Sequence, residues 1–296
     1  MGKFYNSIMG FVVGDALGVP YEFRKRGTFL AKDMIGHGTY NQPVGTWSDD
    51  TSLTLATIDS LLCRGRIDLG DIMYKFSKWF YEGKYTPHGN VFDVGHTTRK
   101  AIENYADHLD PKRCGGYSVN DNGNGSLMRI LPLAFLDCSF YEIYSVSALT
   151  HGHIISEIAC ELYVLIARNL IEGKNISDAI KEATSKMGFA LKNNKEFHRI
   201  PKIGELHRKE IKSTGYVVDT LEAALWCLLT TNSYKDCVIT AVNLGDDTDT
   251  IAAVAGGLAG IIYGVGGNKG IPEEWISKIA QKSSIEKLCV AFEKKH

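Results

Sequence analysis

Apolar residues recur at three- and four-residue spacing from one end of the chain to the other, and strict strand alternation is scarce. The spacing predicts helices over Thr51 to Cys63, Asp71 to Tyr81, Val94 to Tyr105, Ile154 to Ile171, Ser177 to Met187, Val218 to Leu229 and Ile251 to Tyr263. Polar residues such as Ser177 and Ser233 mark helix starts, and glycines such as Gly173, Gly188 and Gly264 mark stops. The expected fold is all-α, a compact orthogonal bundle of about ten or more helices. The run from Ala252 to Gly260 is small nearly all round, so other helices can approach its backbone closely despite glycine's penalty of about 1 kcal/mol. It predicts the central helix. Lys192 to Ser213 is polar with isolated apolar residues, which predicts an exposed connection or short helices, with a lid over a site as the functional alternative.

Composition narrows the setting. Across 296 residues no Pro/Gly/Ser-rich linker or charge block divides the chain, so 1–296 reads as one domain and, being compact, as a monomer. A hydrophobic share of 44% supports a sizeable core, while a formal charge of -1 provides no general attraction to nucleic acid or anionic membrane. Arg24-Lys25-Arg26 is too short to change that. The apolar stretch after the start is interrupted by Gly10, Gly14, Asp15 and Gly18, which suits neither a signal-peptide core nor a spanning helix of about 20 apolar residues. Met1-Gly2 approaches a myristoylation signal, but Asn6 stands where Ser or Thr is needed. Seven scattered cysteines without a Cys-x-x-Cys pair predict reduced thiols and a cytoplasmic protein.

Two acidic clusters, Ser48-Asp49-Asp50-Thr51 and Gly245-Asp246-Asp247-Thr248-Asp249-Thr250, each precede a run of small and apolar residues. One Asp at a helix start is ordinary capping; two or three adjacent carboxylates exceed what a cap uses. Brought together they would repel unless a hard cation such as Mg²⁺, Mn²⁺ or Ca²⁺ neutralised them. Asp247 and Asp249, two apart, would face about 200° away from each other on a regular helix. They can converge only if Asp247 lies in the preceding loop and Asp249-Thr250 opens the first turn.

Two glycine-rich segments are unusual for a plain bundle: Gly14-Asp15-Ala16-Leu17-Gly18 with Glu22, and Asn122-Gly123-Asn124-Gly125-Ser126-Leu127-Met128-Arg129. The second can turn tightly and present backbone N–H groups to phosphate oxygens at a helix start. Together with Gly45-Thr46-Trp47-Ser48-Asp49-Asp50-Thr51, Thr150-His151, Gly215-Tyr216 and the second acidic cluster, these segments resemble the ADP-ribosylglycohydrolase family over nearly the whole chain.

The resemblance implies a central binuclear Mg²⁺ site, with Mn²⁺ as a substitute, held by Ser48, Asp49 and Asp50 on one side and Asp247, Asp249 and Thr250 on the other. Asp246 stays outside that set. It implies Glu22 near the substrate ribose as the free acid or base, with Asp49 and Asp50 also catalytic. Asn124, Gly125, Ser126, Met128, His151 and Tyr216 would bind the nucleotide. The expected activity is hydrolysis of ADP-ribosyl-arginine on a modified protein. Serine, nucleobase and O-acetyl-ADP-ribose linkages, or another small ADP-ribose conjugate, remain open. A non-catalytic ADP-ribose reader is the alternative of another class, and the complete acidic set argues against it. A prenyl-diphosphate enzyme would instead repeat its carboxylates at helical spacing around an aromatic cavity.

Overall fold

The structure, a computed structural model, describes residues 2–296. Within them lie thirteen α-helices joined by loops and short 3₁₀ turns, with isolated β-bridges in place of a sheet. The helices are α1 Lys3–Gly18, α2 Asp49–Arg64, α3 Leu69–Glu82, α4 His96–Ala106, α5 Phe140–Ala148, α6 Ile154–Ile171 and α7 Ile176–Lys186. They continue with α8 Gly188–Asn193, α9 Val217–Thr230, α10 Tyr234–Val242, α11 Thr248–Tyr263, α12 Glu273–Lys278 and α13 Lys282–Lys295. The all-α expectation holds, and α6 has the bounds its spacing predicts. Helices α2, α3, α9 and α11 begin one to three residues earlier than the apolar pattern; in α2 and α11 the added first turn is polar, Asp49-Asp50 and Thr248-Asp249-Thr250, and carries no hydrophobic signal. α4 starts later, after Gly95 in an extended conformation.

Two local expectations are corrected. The cap of α7 is Asn175, whose side chain accepts from the Asp178 N–H at 3.0 Å, so Ser177 lies within the first turn. Gly188 opens α8 instead of ending a helix, whereas Gly264 does terminate α11 at φ 66°.

The pair that organises the molecule is α1 against α11. α1 is missing from the periodic segments because it is buried on nearly every side and shows no polar stripe. Its Gly10, Gly14 and Gly18 fall on one face four residues apart, opposite Gly256, Ala252 and Asp249 of α11. A Cβ at Gly14 would overlap the Ala252 carbonyl oxygen, and one at Gly18 would overlap the Asp249 backbone. The small-residue run of α11 is thus a close helix contact in the core. No described helix is long and apolar enough to cross a membrane. Side chains close the seam: Ser7 Oγ donates to Gly257 O at 3.1 Å, and Tyr234 OH donates to Gly10 O at 2.6 Å.

Residues 192–213 fold as the end of α8 and three 3₁₀ turns. Phe197, Ile200 and Ile203 are buried beneath them, and the Trp226 indole donates to Leu206 O at 2.9 Å. Arg199 lies 3.4 Å from the buried Glu222 carboxylate. The segment is an anchored strap on α9, and none of its residues lines the cleft described below.

Candidate active site

The α1–α11 seam brings both acidic clusters to one end of the bundle. At the start of α2, Ser48 is the cap, its Oγ accepting from the Asp50 N–H at 3.3 Å. Capping is satisfied there without either carboxylate. Asp247 occupies the cap position of α11 but makes no capping bond through its side chain, and Thr248, Asp249 and Thr250 form the first turn. The non-helical angles at Asp247, φ -89° and ψ 75°, remove the opposed-face problem of two-residue spacing. The halves meet where Thr250 Oγ1 donates to Asp50 Oδ1 at 3.3 Å.

Asp15 of α1, quoted in the sequence motif but given no role, organises this meeting point. It accepts from the Ser48 N–H at 2.9 Å, the Thr51 N–H at 3.0 Å and the Thr51 hydroxyl at 2.6 Å. A carboxylate thereby satisfies the otherwise unpaired N–H groups of the α2 start. Asp15, Asp50 and Asp249 each offer an oxygen within 4.8 Å of the others. A second trio, Glu22, Asp93 and Asp249, meets the same limit. Asp93, unnoticed in the sequence, lies in the loop before α4 at φ 51°, a left-handed conformation that turns the chain sharply. The one available signal for Asp15 was a lone acid in an apolar, glycine-rich run. Asp93 had none, because its loop is placed by tertiary folding.

A cleft of about 240 Å³ opens over these acids. Of the residues expected at the site, Glu22, Asp49, Asn124, Gly125, Met128, His151, Asp247 and Thr250 line it, while Asp50 and Asp249 lie buried in the acidic cluster. Ser126 is not on the wall: it is fully buried, and its Oγ accepts from Ser147 Oγ at 2.9 Å. Tyr216 precedes α9 and pairs through its backbone with Gly123, supporting the glycine loop from outside the lining. The loop opens a 3₁₀ turn at Leu127–Arg129 instead of an α-helix, and the Asn124 N–H is committed to Gly215 O at 2.9 Å. The Asn124 side chain donates to Asp247 Oδ2 at 2.8 Å and Thr220 Oγ1 at 2.9 Å, tying loop, acid and α9 together.

His151 and Gly125 define the opposite wall. A Cβ at Gly125 would stand 2.7 Å from His151 Cε1 and 2.8 Å from Thr98 Oγ1, so the close approach requires glycine. Arg129 donates to Thr150 Oγ1 at 2.7 Å, and Thr150 Oγ1 lies 2.8 Å from His151 Nδ1. With Arg129 supplying its proton to Thr150, the Thr150 hydroxyl is free to donate to Nδ1 and leave Nε2 protonated. Burial, with Arg129 adding to it, lowers His151 to about 3, so the ring is neutral and can donate on the cleft side.

The acids behave oppositely. Burial raises Asp15 to about 6 despite its bonds from Thr51 and Ser48, and raises Asp247 to about 6 despite Thr250 and Asn124. Asp49, Asp50 and Asp249 are pushed well above the usual carboxylate range, first by burial and then by neighbouring carboxylates: Asp93, Asp15 and Asp247 act on Asp49, Asp249 and Asp15 chiefly on Asp50, and Asp93 and Asp247 chiefly on Asp249. Glu22 is raised by burial and by Asp249 and Asp93. Four buried oxygens, Glu22 Oε2, Asp50 Oδ2, Asp247 Oδ1 and Asp249 Oδ2, have no hydrogen-bond partner. Hard, unpartnered oxygens crowded this closely fit a divalent cation, whose charge would reverse these shifts.

The sign of the pH dependence follows. An acid raised in the folded state binds protons that the unfolded chain releases first, so its stability contribution declines as pH rises from about 4 to about 6. His151, depressed when folded, contributes the reverse trend below its unfolded value, but it is one group against six acids. In chelator the melting temperature is therefore expected to fall between pH 4.5 and 7, within the window set by these shifts. Adding Mg²⁺ at pH 7 should reverse the fall; a melting temperature rising over that range in chelator contradicts the acidic-cluster account.

An all-α bundle with two acidic helix starts converging beneath a polar, glycine-walled cleft defines a helical scaffold built around an acidic centre. The chain belongs to the ADP-ribosylglycohydrolase family, whose model matches residues 1–296. It is 35% identical over 290 residues to an ADP-ribosylarginine hydrolase Tri1 of Pseudomonas putida (strain GB-1), covering 95% of this chain and 75% of the relative. It is 32% identical over 286 residues to the ADP-ribosyl-[dinitrogen reductase] glycohydrolase of Rhodospirillum rubrum, covering 93% and 90%. A solved structure titled an ADP-ribosylglycohydrolase-related protein complex superposes with a TM-score of 0.83 at 32% identity, covering 99% of this chain and 97% of that one. The chain is accordingly an ADP-ribosyl glycohydrolase.

Proposed function

We propose that the protein is a Mg²⁺-dependent hydrolase that releases ADP-ribose from arginine on modified proteins. The carrying observation is the convergence of Asp49, Asp50, Asp247 and Asp249 from distant helix starts, with unpartnered oxygens on three of them. These acids, with Thr250 and Ser48, would hold two Mg²⁺ ions, or Mn²⁺ in their place. Such ions would supply Lewis-acid stabilisation of developing oxygen charge and make water a better nucleophile.

The chain's own groups account for the remaining chemistry. Water adds to the anomeric carbon, the bond from that carbon to the guanidino nitrogen breaks, and a proton must reach the departing nitrogen. Glu22 and Asp93 lie together at the cleft and are not needed to join the two helix starts. One of them can supply the proton to the departing nitrogen, while a cleft carboxylate of the acidic cluster, Asp49, accepts the proton of the attacking water. The paired oxygens of Glu22 and Asp93 also match the planar donor fork of an arginine side chain. Two relatives named as ADP-ribosylarginine hydrolases support that linkage. Asn124, Gly125, Met128 and His151 would hold the nucleotide, with Ser126 and Tyr216 keeping the loop in place. We assign the whole of 1–296 to one cytoplasmic, monomeric domain.

A hydrolysis panel of ADP-ribosyl-arginine, ADP-ribosyl-serine and O-acetyl-ADP-ribose, run with Mg²⁺, Mn²⁺ and chelator, tests this reading. Release from the arginine conjugate should dominate and vanish in chelator. Preferred release from serine would overturn the linkage, and tight ADP-ribose binding without release from any substrate would favour a reader. Glu22→Gln and Asp93→Asn should each lower turnover by about 100-fold or more while calorimetry still finds Mg²⁺ bound at the Asp49, Asp50, Asp247 and Asp249 set.

A further inference from the structure

Beside the cleft, three chain segments meet outside the α-helices: the turn after α1 that carries Glu22, the end of the strap at 208–213, and the loop 244–247 that leads into α11. The first and third are joined by a reciprocal backbone pair, Phe23 N–H to Asp246 O at 2.7 Å and Asp246 N–H to Arg24 O at 2.9 Å. The second joins the third through the Asp247 N–H, which donates to Ser213 O at 3.0 Å. Phe23 and Asp246 both have φ 61°, an uncommon conformation for residues with side chains, so something must hold this turn.

Arg26 lies across all three. Its Nε donates to Leu244 O at 2.6 Å, one terminal nitrogen to Arg208 O at 2.9 Å, and the other to Ile211 O at 2.7 Å and Ser213 Oγ at 3.1 Å. Ser213 Oγ is also 3.1 Å from Leu244 O, closing the arrangement. Every acceptor in this set is neutral. A guanidinium that uses its full fork on carbonyls and a hydroxyl serves geometry more than charge balance. Lysine could not reproduce it, because a single ammonium cannot reach four acceptors spread over 208–213 and Leu244 at once.

We propose that Arg26 is a positioning residue for hydrolysis, a latch that fixes the Glu22 turn in register with the Asp247–Asp249 start of α11. It lines neither the cleft nor the acidic cluster, and acts through the backbone on the two segments that carry Glu22 and Asp247 to the cleft. Without the latch, Glu22 and Asp247 would keep their chemistry but lose their mutual placement. A displacement of about 1 Å in such a pair can cost on the order of 100-fold in rate.

The inference rests on the hydrolase reading for its kinetic arm, so the test has a second arm that does not. In Arg26→Ala, kcat on ADP-ribosyl-arginine should fall by about 10- to 100-fold with KM changed by less than about threefold. Arg26→Lys, which retains charge and stem, should recover only part of the loss. Amide exchange followed by NMR should quicken at Phe23, Asp246 and Asp247 in both variants, and stay at the wild-type rate in the α1–α11 seam. If Arg26→Ala does not fold, Arg26→Lys carries both measurements. Wild-type kcat in either folded variant, or exchange that quickens equally throughout the core, overturns the latch. Should wild-type protein hydrolyse nothing, the hydrolase reading fails, and the exchange pattern alone confirms or overturns Arg26 as the tie between these segments.

Discussion

Asp50→Asn is expected to raise the melting temperature of the metal-free protein and abolish the further rise that Mg²⁺ gives the wild type. In the folded chain Asp50 is fully buried, close to Asp15 and Asp249, with one oxygen bonded by Thr250 and the other unpartnered. Asparagine has nearly the same shape and no charge, so the repulsion within the trio and the cost of burying the ionised form are both removed. Cation binding depends on that same charge. At a Mg²⁺ concentration about 100 times Kd, binding to the folded state contributes roughly 2.7 kcal/mol. At about 2–4 °C per kcal/mol, the wild-type shift is roughly 5–10 °C, and the variant should show almost none of it. Turnover should fall by at least about 100-fold, the upper range seen when only the support of a metal site is disturbed. Differential scanning fluorimetry with Mg²⁺ and with chelator reads both effects at once. A variant that melts lower without metal, yet still gains with Mg²⁺, would remove Asp50 from the proposed centre.

The expected gain without metal illustrates a general tension at this site. Capping by Ser48 and anchoring by Asp15 already satisfy the start of α2, so Asp49 and Asp50 add little to folding there that a neutral residue could not supply. That surplus is what made the clusters stand out in the sequence. Amphipathic helices were legible for a related reason: a side chain that alternates between core and solvent leaves a 3.6-residue rhythm. The same reasoning could not see α1, where burial on nearly all sides erases the rhythm and glycines look like breaks. Asp93 was hidden for another reason, because its place beside Glu22 and Asp249 depends on how the loop before α4 turns at a left-handed residue. Ser126 shows the limit from the opposite side. Its motif directed attention to a loop that lines the cleft, but sequence order could not tell an inward hydroxyl from one on the cleft wall.

Gly14→Ala should destabilise the protein and weaken Mg²⁺ binding, although a lone methyl group is added and alanine is the better helix former by about 1 kcal/mol. The new Cβ would overlap the Ala252 carbonyl oxygen and crowd the Ala253 nitrogen, backbone atoms of α11 that no side-chain rotation can move away. Relief requires α1 and α11 to separate along the seam that carries Asp15 on one helix and Asp249 on the other. Overpacking of this kind costs about 1–3 kcal/mol, more where both partners are rigid, which outweighs the propensity gain. The expected loss is roughly 3–10 °C in melting temperature. Calorimetry should find weaker Mg²⁺ binding in the fraction that remains folded, because Asp15 carries the α2 start with it. Gly188→Ala supplies the contrast: a Cβ there meets nothing within 4 Å, and the residue opens α8 without a positive φ. Its melting temperature should stay level or rise by a contribution of about 0.4–1 kcal/mol from the unfolded chain. Had Gly188 ended a helix in the left-handed conformation, as its position after α7 suggests in the sequence, alanine would strain that turn and lower stability. The sign at residue 188 therefore tests the placement of α8 as directly as the sign at residue 14 tests the seam beneath the acidic centre.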